Sequence, residues 1–374
     1  MSFSARVRAI LHFVFPLFIL LVCSASFAFS ADAKTADGKT LWDQGRYRQL
    51  GKLAQDRLAH NAADAEALVW LSAVYDASGD FDRAVETARH ATEVAPSSSE
   101  AHCQLADTLG DKALKVGILH GAYPLAKQMR LELDRSLQLD PRNLRCLRES
   151  MGLYEQAPAL AGGSRSKARQ TLQQISQINP ADGARAEAAL LQMQKRPLPE
   201  IEASLRRAVQ LDPRFYRALI DLTSILVSES YHRYPEAERF ARQAIAADPD
   251  RATGYVSLAE VCARQQHWNE LEAALDAAQR HIPDNPAPLY FAALALLDSG
   301  ADLARAERYL RKYLMQQPEA GAPTQASAHW KLGLVLEKLG RLSDAAIELR
   351  AAATEKARDP AFKSDFRRIA GREA

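Results

Sequence analysis

Seven prolines constrain this chain more than any other feature. Pro96, Pro141, Pro180, Pro213, Pro249, Pro283 and Pro318 close short segments reading ATEVAP, SLQLDP, ISQINP, AVQLDP, AIAADP, QRHIP and LMQQP, at gaps of 45, 39, 33, 36, 34 and 35 residues. Proline lacks an N–H and clashes with the preceding turn, so each position is a helix stop. A period near ~34 residues marks a stacked array in which each unit buries one face against its neighbour. Strand signals are absent. A length of 374 residues would otherwise suggest about two or three domains, but the repetition reads as one all-α array.

Residues 65–96 show the unit best. Leu68, Leu71 and Tyr75 recur on one helix face, Ser78-Gly79-Asp80 breaks the helix, and Phe81, Ala84, Ala88 and Ala91 form a second face. Small Ser72, Ala84 and Ala91 sit where two backbones must come close. This unit resembles the tetratricopeptide repeat, whose small and large positions are matched by Leu68, Leu71, Ser72, Tyr75, Ala84, Ala88, Ala91 and Pro96. Residues 252–283 repeat the match with Tyr255, Leu258, Ala259, Cys262, Trp268, Ala278 and Pro283. From Ala326 onward it returns as Leu332-Gly333, Leu336, Gly340, Leu342, Ala345 and Ala352. Units starting near Ser99, Leu144, Asp182, Tyr216 and Pro286 are less regular. The resemblance implies a right-handed superhelical solenoid of antiparallel helix pairs. About eight repeats are expected over 65–359, after a degenerate half-repeat at 31–64 and before a polar capping helix at 360–374.

Two units exceed the period, with insertions near 110–124 and 157–163. The first reads as lengthened helices joined at Gly121-Ala122-Tyr123-Pro124. Both fall between paired helices and should protrude on one edge, where they are either a partner or ligand site or tolerated drift. The segment is similar to inserted repeats of exported bacterial tetratricopeptide proteins, including those that accompany periplasmic solute importers. In that case a small apolar ligand would need an enclosed pocket lined by Leu114, Ile118, Leu119 and Tyr123.

The N-terminus reads as a signal peptide over 1–30. Arg6 and Arg8 precede the apolar run ILHFVFPLFILLV, and Ser24 to Ser30 is rich in small residues. Cleavage after Ala28 or Ser30 would give a periplasmic or secreted protein. Two alternatives stay open: residues 9–29 carry no fixed charge and could anchor the chain in an inner membrane, and Cys23 could be lipidated. Lys+Arg total 48 against Asp+Glu 46, and the excess is Arg6 and Arg8, so the mature chain is neutral. It lacks the basic surplus of a nucleic-acid or membrane-surface binder.

The chemical motifs read as structural. Ser164-Arg165-Ser166-Lys167 spells S-x-x-K, but the accompanying S-D-N and K-T-G of penicillin-binding enzymes are absent. Ser164 caps the helix entered after Gly162-Gly163; that turn could also hold an anion on free N–H groups with Arg165 and Lys167. Gly38-Lys39-Thr40 matches the end of a phosphate loop, yet Ala33 replaces the required glycine. Carboxylates such as Glu200 and Glu202 read as solvated helix faces. Cys103, Cys146 and Cys262 show no CxxC spacing, so no zinc site is expected; Cys103 and Cys146 either pair or remain as two buried thiols. No catalytic residue, cofactor or metal site follows.

The resemblance also implies a site: the first helices of such repeats line a concave groove that holds an extended peptide or a partner helix. Carried onto this chain, the groove begins with Glu66, Asp76, Glu100, Asp107 and Asp111. Its middle presents Arg145, Arg148, Arg217 and Arg264, with Glu260 among them. Its end presents Ile220, Val256, Tyr290, Leu294, Leu297 and Trp330. Chaperone-binding members carry a clamp asparagine where this chain has Ala73, Asp107, Gly152, Ser224, Glu260, Leu294 and Leu334, which excludes that subclass. The expected function is a non-enzymatic exported adaptor for a protein or peptide partner; the alternative is a periplasmic small-ligand or transporter-accessory protein.

Overall fold

A computed structural model describes residues 37–117, 121–159 and 162–371. The expected signal at 1–30, the alternative anchor at 9–29, Cys23, Ile118 and Leu119 lie outside those residues. Among the described residues every regular element is a helix, and none is long and apolar enough to cross a membrane. Residues 37–40 belong to a first unit, within which the Thr40 N–H donates to Asp37 Oδ1 at 2.7 Å. Leu41–Ala374 forms the second unit.

A short α1 (Gly38–Gln44) turns through Gly45, at φ +73°, into α2 (Tyr47–His60). Eight antiparallel helix pairs follow among the described residues. They are α3 (Ala65–Ala77) with α4 (Phe81–Val94), α5 (Ser99–Val116) with α6 (Ala122–Leu139), α7 (Leu144–Gln156) with α8 (Arg165–Ile178), and α9 (Pro180–Met193) with α10 (Leu198–Leu211). The others are α11 (Tyr216–Val227) with α12 (Tyr234–Ala247), α13 (Ala252–Gln265) with α14 (Trp268–His281), α15 (Ala287–Ser299) with α16 (Leu303–Leu314), and α17 (Gln325–Lys338) with α18 (Leu342–Lys356). α19 (Pro360–Ala370) lies against α17 and α18.

Local chemistry sets these limits. Six of the even-numbered helices, α4 to α14, end two residues before one of the spaced prolines. Pro180 also opens α9, so Asn179 closes α8 while its side chain accepts the Asp182 N–H. Asp64, Ser98 and Asn143 cap α3, α5 and α7 in the same way, each accepting an N–H from the first turn. The first insertion is taken up as two lengthened helices, α5 and α6, of 18 residues each.

Small residues let the pairs close. Ala84, Ala88 and Ala91 are fully buried along α4, and Ser72 of α3 donates to the Ala84 carbonyl at 3.0 Å. Gly183 of α9 approaches α8 so closely that a Cβ there would lie 2.5 Å from Ser176 Cα. Around these contacts sit leucines such as Leu219, Leu222 and Leu332, all with no exposed surface; each contributes roughly 1.5–3 kcal/mol by burial.

First helices of successive pairs also touch one another: α3 meets α5, α5 meets α7, α7 meets α9, and the series resumes from α11 to α13, α15 and α17. Among the described residues, second helices have no contacts of that extent with each other. The first helices therefore occupy the inner side of the curve.

Candidate partner-binding surface

The inner surface starts acidic. Arg145 of α7 reaches back to α5 and forks onto Glu100, Gln104 and Asp107. Its remaining face lies 4.7 Å from the Trp42 ring centroid, within cation–π range. Burial works against its charge, and Asp107 and Glu100 outweigh that, so its pKa stands above the ordinary value. The carboxylates around it are crowded. Burial, then Asp111 and Asp107, push Asp76 up to about 8; burial, then Asp107, push Glu149 up to about 7. One oxygen each of Asp76 and Asp107 is buried without a hydrogen-bond partner. These groups stay together because protonation relieves part of their repulsion.

Beyond them the surface turns basic. Arg148 of α7 pairs with Asp182 of α9 at 2.5 Å, and Arg185 of α9 pairs with Asp221 of α11 at 2.7 Å. Arg251 holds Asp248 at 2.8 Å. Arg217 of α11 sits among these cations: burial and then Arg148 and Arg185 depress its pKa. Its side chain is 47% exposed, and the carboxylate facing it, Asp43, lies 3.7 Å away at the end of α1.

The four arginines expected on one strip thus separate. Arg148 and Arg217 share a basic field with Arg185 and Arg251, which the sequence reading missed. Arg145 is held in the acidic cluster. Arg264 is tied to Glu260 on its own helix at 3.0 Å and approaches Asp298 at 3.9 Å. A usable signal was present for part of this: Arg148 and Asp182 are 34 residues apart, Arg185 and Asp221 are 36 apart, and Arg305 and Glu272 are 33 apart. Opposite charges one repeat apart meet on neighbouring helices.

The apolar end needs a correction. Tyr290 is only 5% exposed and packs its ring on Phe291 and Tyr313, so it offers no face to a partner. Ile220 and Leu294 are half-buried against the core, and Val256 is half-buried beside buried Tyr255. Trp330 is engaged within the chain: its Nε1 donates to Asp365 at 3.0 Å and its ring meets Phe362 edge-on. An open cavity of about 910 Å³ remains at this end, lined by Leu294, Leu297, Leu334, Lys338, Leu342 and Arg368 among others.

The N-terminal helices supply the least expected part of the surface. Tyr47 lies in the electrostatic field of Asp76, Arg217, Arg145 and Glu319, contributed by α3, α11, α7 and the loop before α17. The Arg48 N–H donates to Glu319 Oε2 at 2.9 Å, its guanidinium meets Glu319 Oε1 at 3.4 Å and also reaches the Asp284 carbonyl. Gln49 donates to Asp284 Oδ2 at 2.8 Å, and Arg46 approaches the same carboxylate at 3.6 Å. The start of α2 therefore crosses the inner side of the array to units far away in sequence.

The other sequence candidates resolve as follows. Ser164 caps α8, accepting the Lys167 N–H at 3.3 Å. Leu114 is 81% exposed and Tyr123 55%, so these two do not enclose a ligand pocket. Cys103 and Cys146 are free, fully buried thiols in one cluster, and the hydrogen bond to Cys146 followed by burial raises the Cys103 pKa. Among the described residues no group of three or more His, Cys, Asp or Glu side chains is arranged to hold a metal.

Comparison with known proteins finds the following likenesses. Residues 65–98, the α3–α4 pair, match the family model of the tetratricopeptide repeat. No curated protein matches. Among solved structures, a thermophilic tetratricopeptide repeat protein of Thermus thermophilus is 22% identical, with 51% of this chain and 96% of that chain covered at a TM-score of 0.45. PilF of Pseudomonas aeruginosa is 18% identical, with 65% and 99% covered at a TM-score of 0.36. Yeast Tom70 is 16% identical, with 90% and 87% covered at a TM-score of 0.34. The α3–α4 pair is thus a tetratricopeptide repeat, and helix pairs of the same build continue to Lys356 as an all-α solenoid.

Proposed function

We propose that this protein is a non-enzymatic scaffold that holds an extended or helical segment of a protein partner on its inner surface, after export from the cytoplasm. The repeat fold is that of protein-binding scaffolds. The observation that carries the finer reading is Arg217: a half-exposed guanidinium beside three other arginines, each held close by its own aspartate, while Asp43 stands off at 3.7 Å. Such a cation gains most from a carboxylate brought by a partner.

Ser224 lies two helical turns beyond Arg217 on the same face of α11 and is exposed. A photo-crosslinking side chain at Ser224 should trap a partner in the native cell envelope, whereas one at Ile347, 60% exposed on α18, should not. Equal trapping at both positions, or trapping only at Ile347, would remove the inner surface from consideration. Export has its own test: the mature chain should begin near Phe29 or Ala31, and an intact Met1 or Ser2 on membrane-bound material would favour the anchor.

A further inference from the structure

The segment from Trp42 to Gln49 lies where a partner of the inner surface would lie. Its flanks and the residues between them are held differently. Leu41 and Leu50 are buried, at 4% and 0% exposure, and Arg48 is fastened to Glu319, itself 4% exposed. Between them Trp42 and Asp43 are half-buried and reach the surface by contacts of another kind. Trp42 lays its ring over Arg145 at 4.7 Å, and Asp43 faces Arg217 at 3.7 Å.

The chemistry under each position is distinct. Arg145 already has Glu100, Gln104 and Asp107 as in-plane acceptors, and what remains open is its flat face. An acid brought there would meet Glu100 and Asp107; a neutral aromatic ring would not. Next to it, Arg217 shares its surroundings with Arg148, Arg185 and Arg251, where a base would be repelled and a carboxylate is favoured.

We infer that Trp42-Asp43 is a built-in occupant of the inner surface, and that the partner is a peptide segment carrying an aromatic residue followed directly by a carboxylate, which replaces Trp42 on Arg145 and Asp43 on Arg217. This rests on the scaffold reading and specifies its ligand. While the chain's own pair is seated, a partner binds with an affinity reduced by the fraction of molecules in which the site is open.

The test uses the full chain and a fluorescein-labelled peptide of its own residues 39–49, KTLWDQGRYRQ, read by anisotropy. The double variant Trp42→Ala/Asp43→Asn should bind the peptide at least about ten-fold more tightly than wild type, because the competing occupant is gone. Asp43→Asn alone, which leaves Trp42 in place, should be intermediate, and thermal melting of each variant reports whether it is folded. A peptide with lysine in place of its aspartate should lose the gain, as should adding Arg217→Glu to the double variant. Equal binding to wild type and double variant, binding to neither folded protein, or undiminished binding of the lysine peptide would each overturn the inference. The scaffold reading fails separately: a partner trapped at Ser224 with no peptide preference removes only the occupant, while peptide preference with no partner trapped at Ser224 removes the scaffold.

Discussion

Arg48 and Glu319 stand 271 residues apart and share two hydrogen bonds, one from the Arg48 main-chain N–H and one from its guanidinium. Glu319 is nearly out of contact with water, and burial raises its pKa while Arg48 opposes the rise. Removing the arginine side chain leaves the buried Glu319 carboxyl group with the main-chain N–H alone. Arg48→Ala should therefore destabilise the fold by about 2 kcal/mol, and Glu319→Gln, which keeps an acceptor for the N–H, by about 1 kcal/mol. Urea unfolding of both variants checks the order; a larger loss for Glu319→Gln would contradict it.

The acidic cluster predicts a pH dependence of definite sign. Asp76 and Glu149 bind their protons more tightly folded than unfolded, since burial and neighbouring carboxylates raise them to about 8 and about 7. Their contribution to stability is fully present below the ordinary carboxylate pKa of ~4 and is lost as pH rises through those values. The melting temperature should fall between pH 6 and pH 8, and Asp76→Asn should flatten that fall. Carboxylates held low by arginine, such as Glu202 and Glu307, act below ~4.5 and leave this window untouched. A wild-type melting temperature that rises over the same interval would refute the assignment.

Ala259 of α13 is fully buried at a helix contact, whereas Glu270 of α14 is exposed. Ala259→Leu should overpack the contact and lower stability by about 1–3 kcal/mol, while Glu270→Ala stays within about 0.5 kcal/mol. Calorimetry of the two variants separates them, and similar shifts would mean that the helix register is wrong.

The S-x-x-K segment can be tested at the same cost. Ser164→Ala removes the cap on α8, worth about 1 kcal/mol, and should leave partner binding unchanged. Intact-mass analysis after exposure to a β-lactam should show no adduct on the wild-type chain; an adduct at Ser164 would reinstate a nucleophile.

The helices were legible because their signals are local. Proline after each second helix, Ser-Gly-Asp between helices and alanine at the close contacts all act within a few residues, and Ala84, Ala88 and Ala91 lie in the core where their spacing puts them. The inner face was legible in part. Arg148 and Arg217 fall where the repeat period sends them, but period alone does not show that Arg148 is already satisfied by Asp182. Tyr290 shares the face of Leu294 in sequence and yet turns into the core against Tyr313, a choice made by packing. The meeting of Arg48 with Glu319 has no sequence signature, because it depends on the sum of small rotations between successive pairs.

That meeting alters the mechanics of the second unit. A stack of repeats is normally an open spring: it widens by small adjustments at every interface, and no single bond resists. A clasp from α2 to the loops before α15 and α17 turns the intervening rungs into a strung bow, in which any widening must first stretch the string. Its radius is then set by one pair, half-buried Arg48 and buried Glu319, instead of being shared among all the joints. A thin strand can be threaded through such a bow without loosening it, but a folded domain would have to snap the clasp to enter.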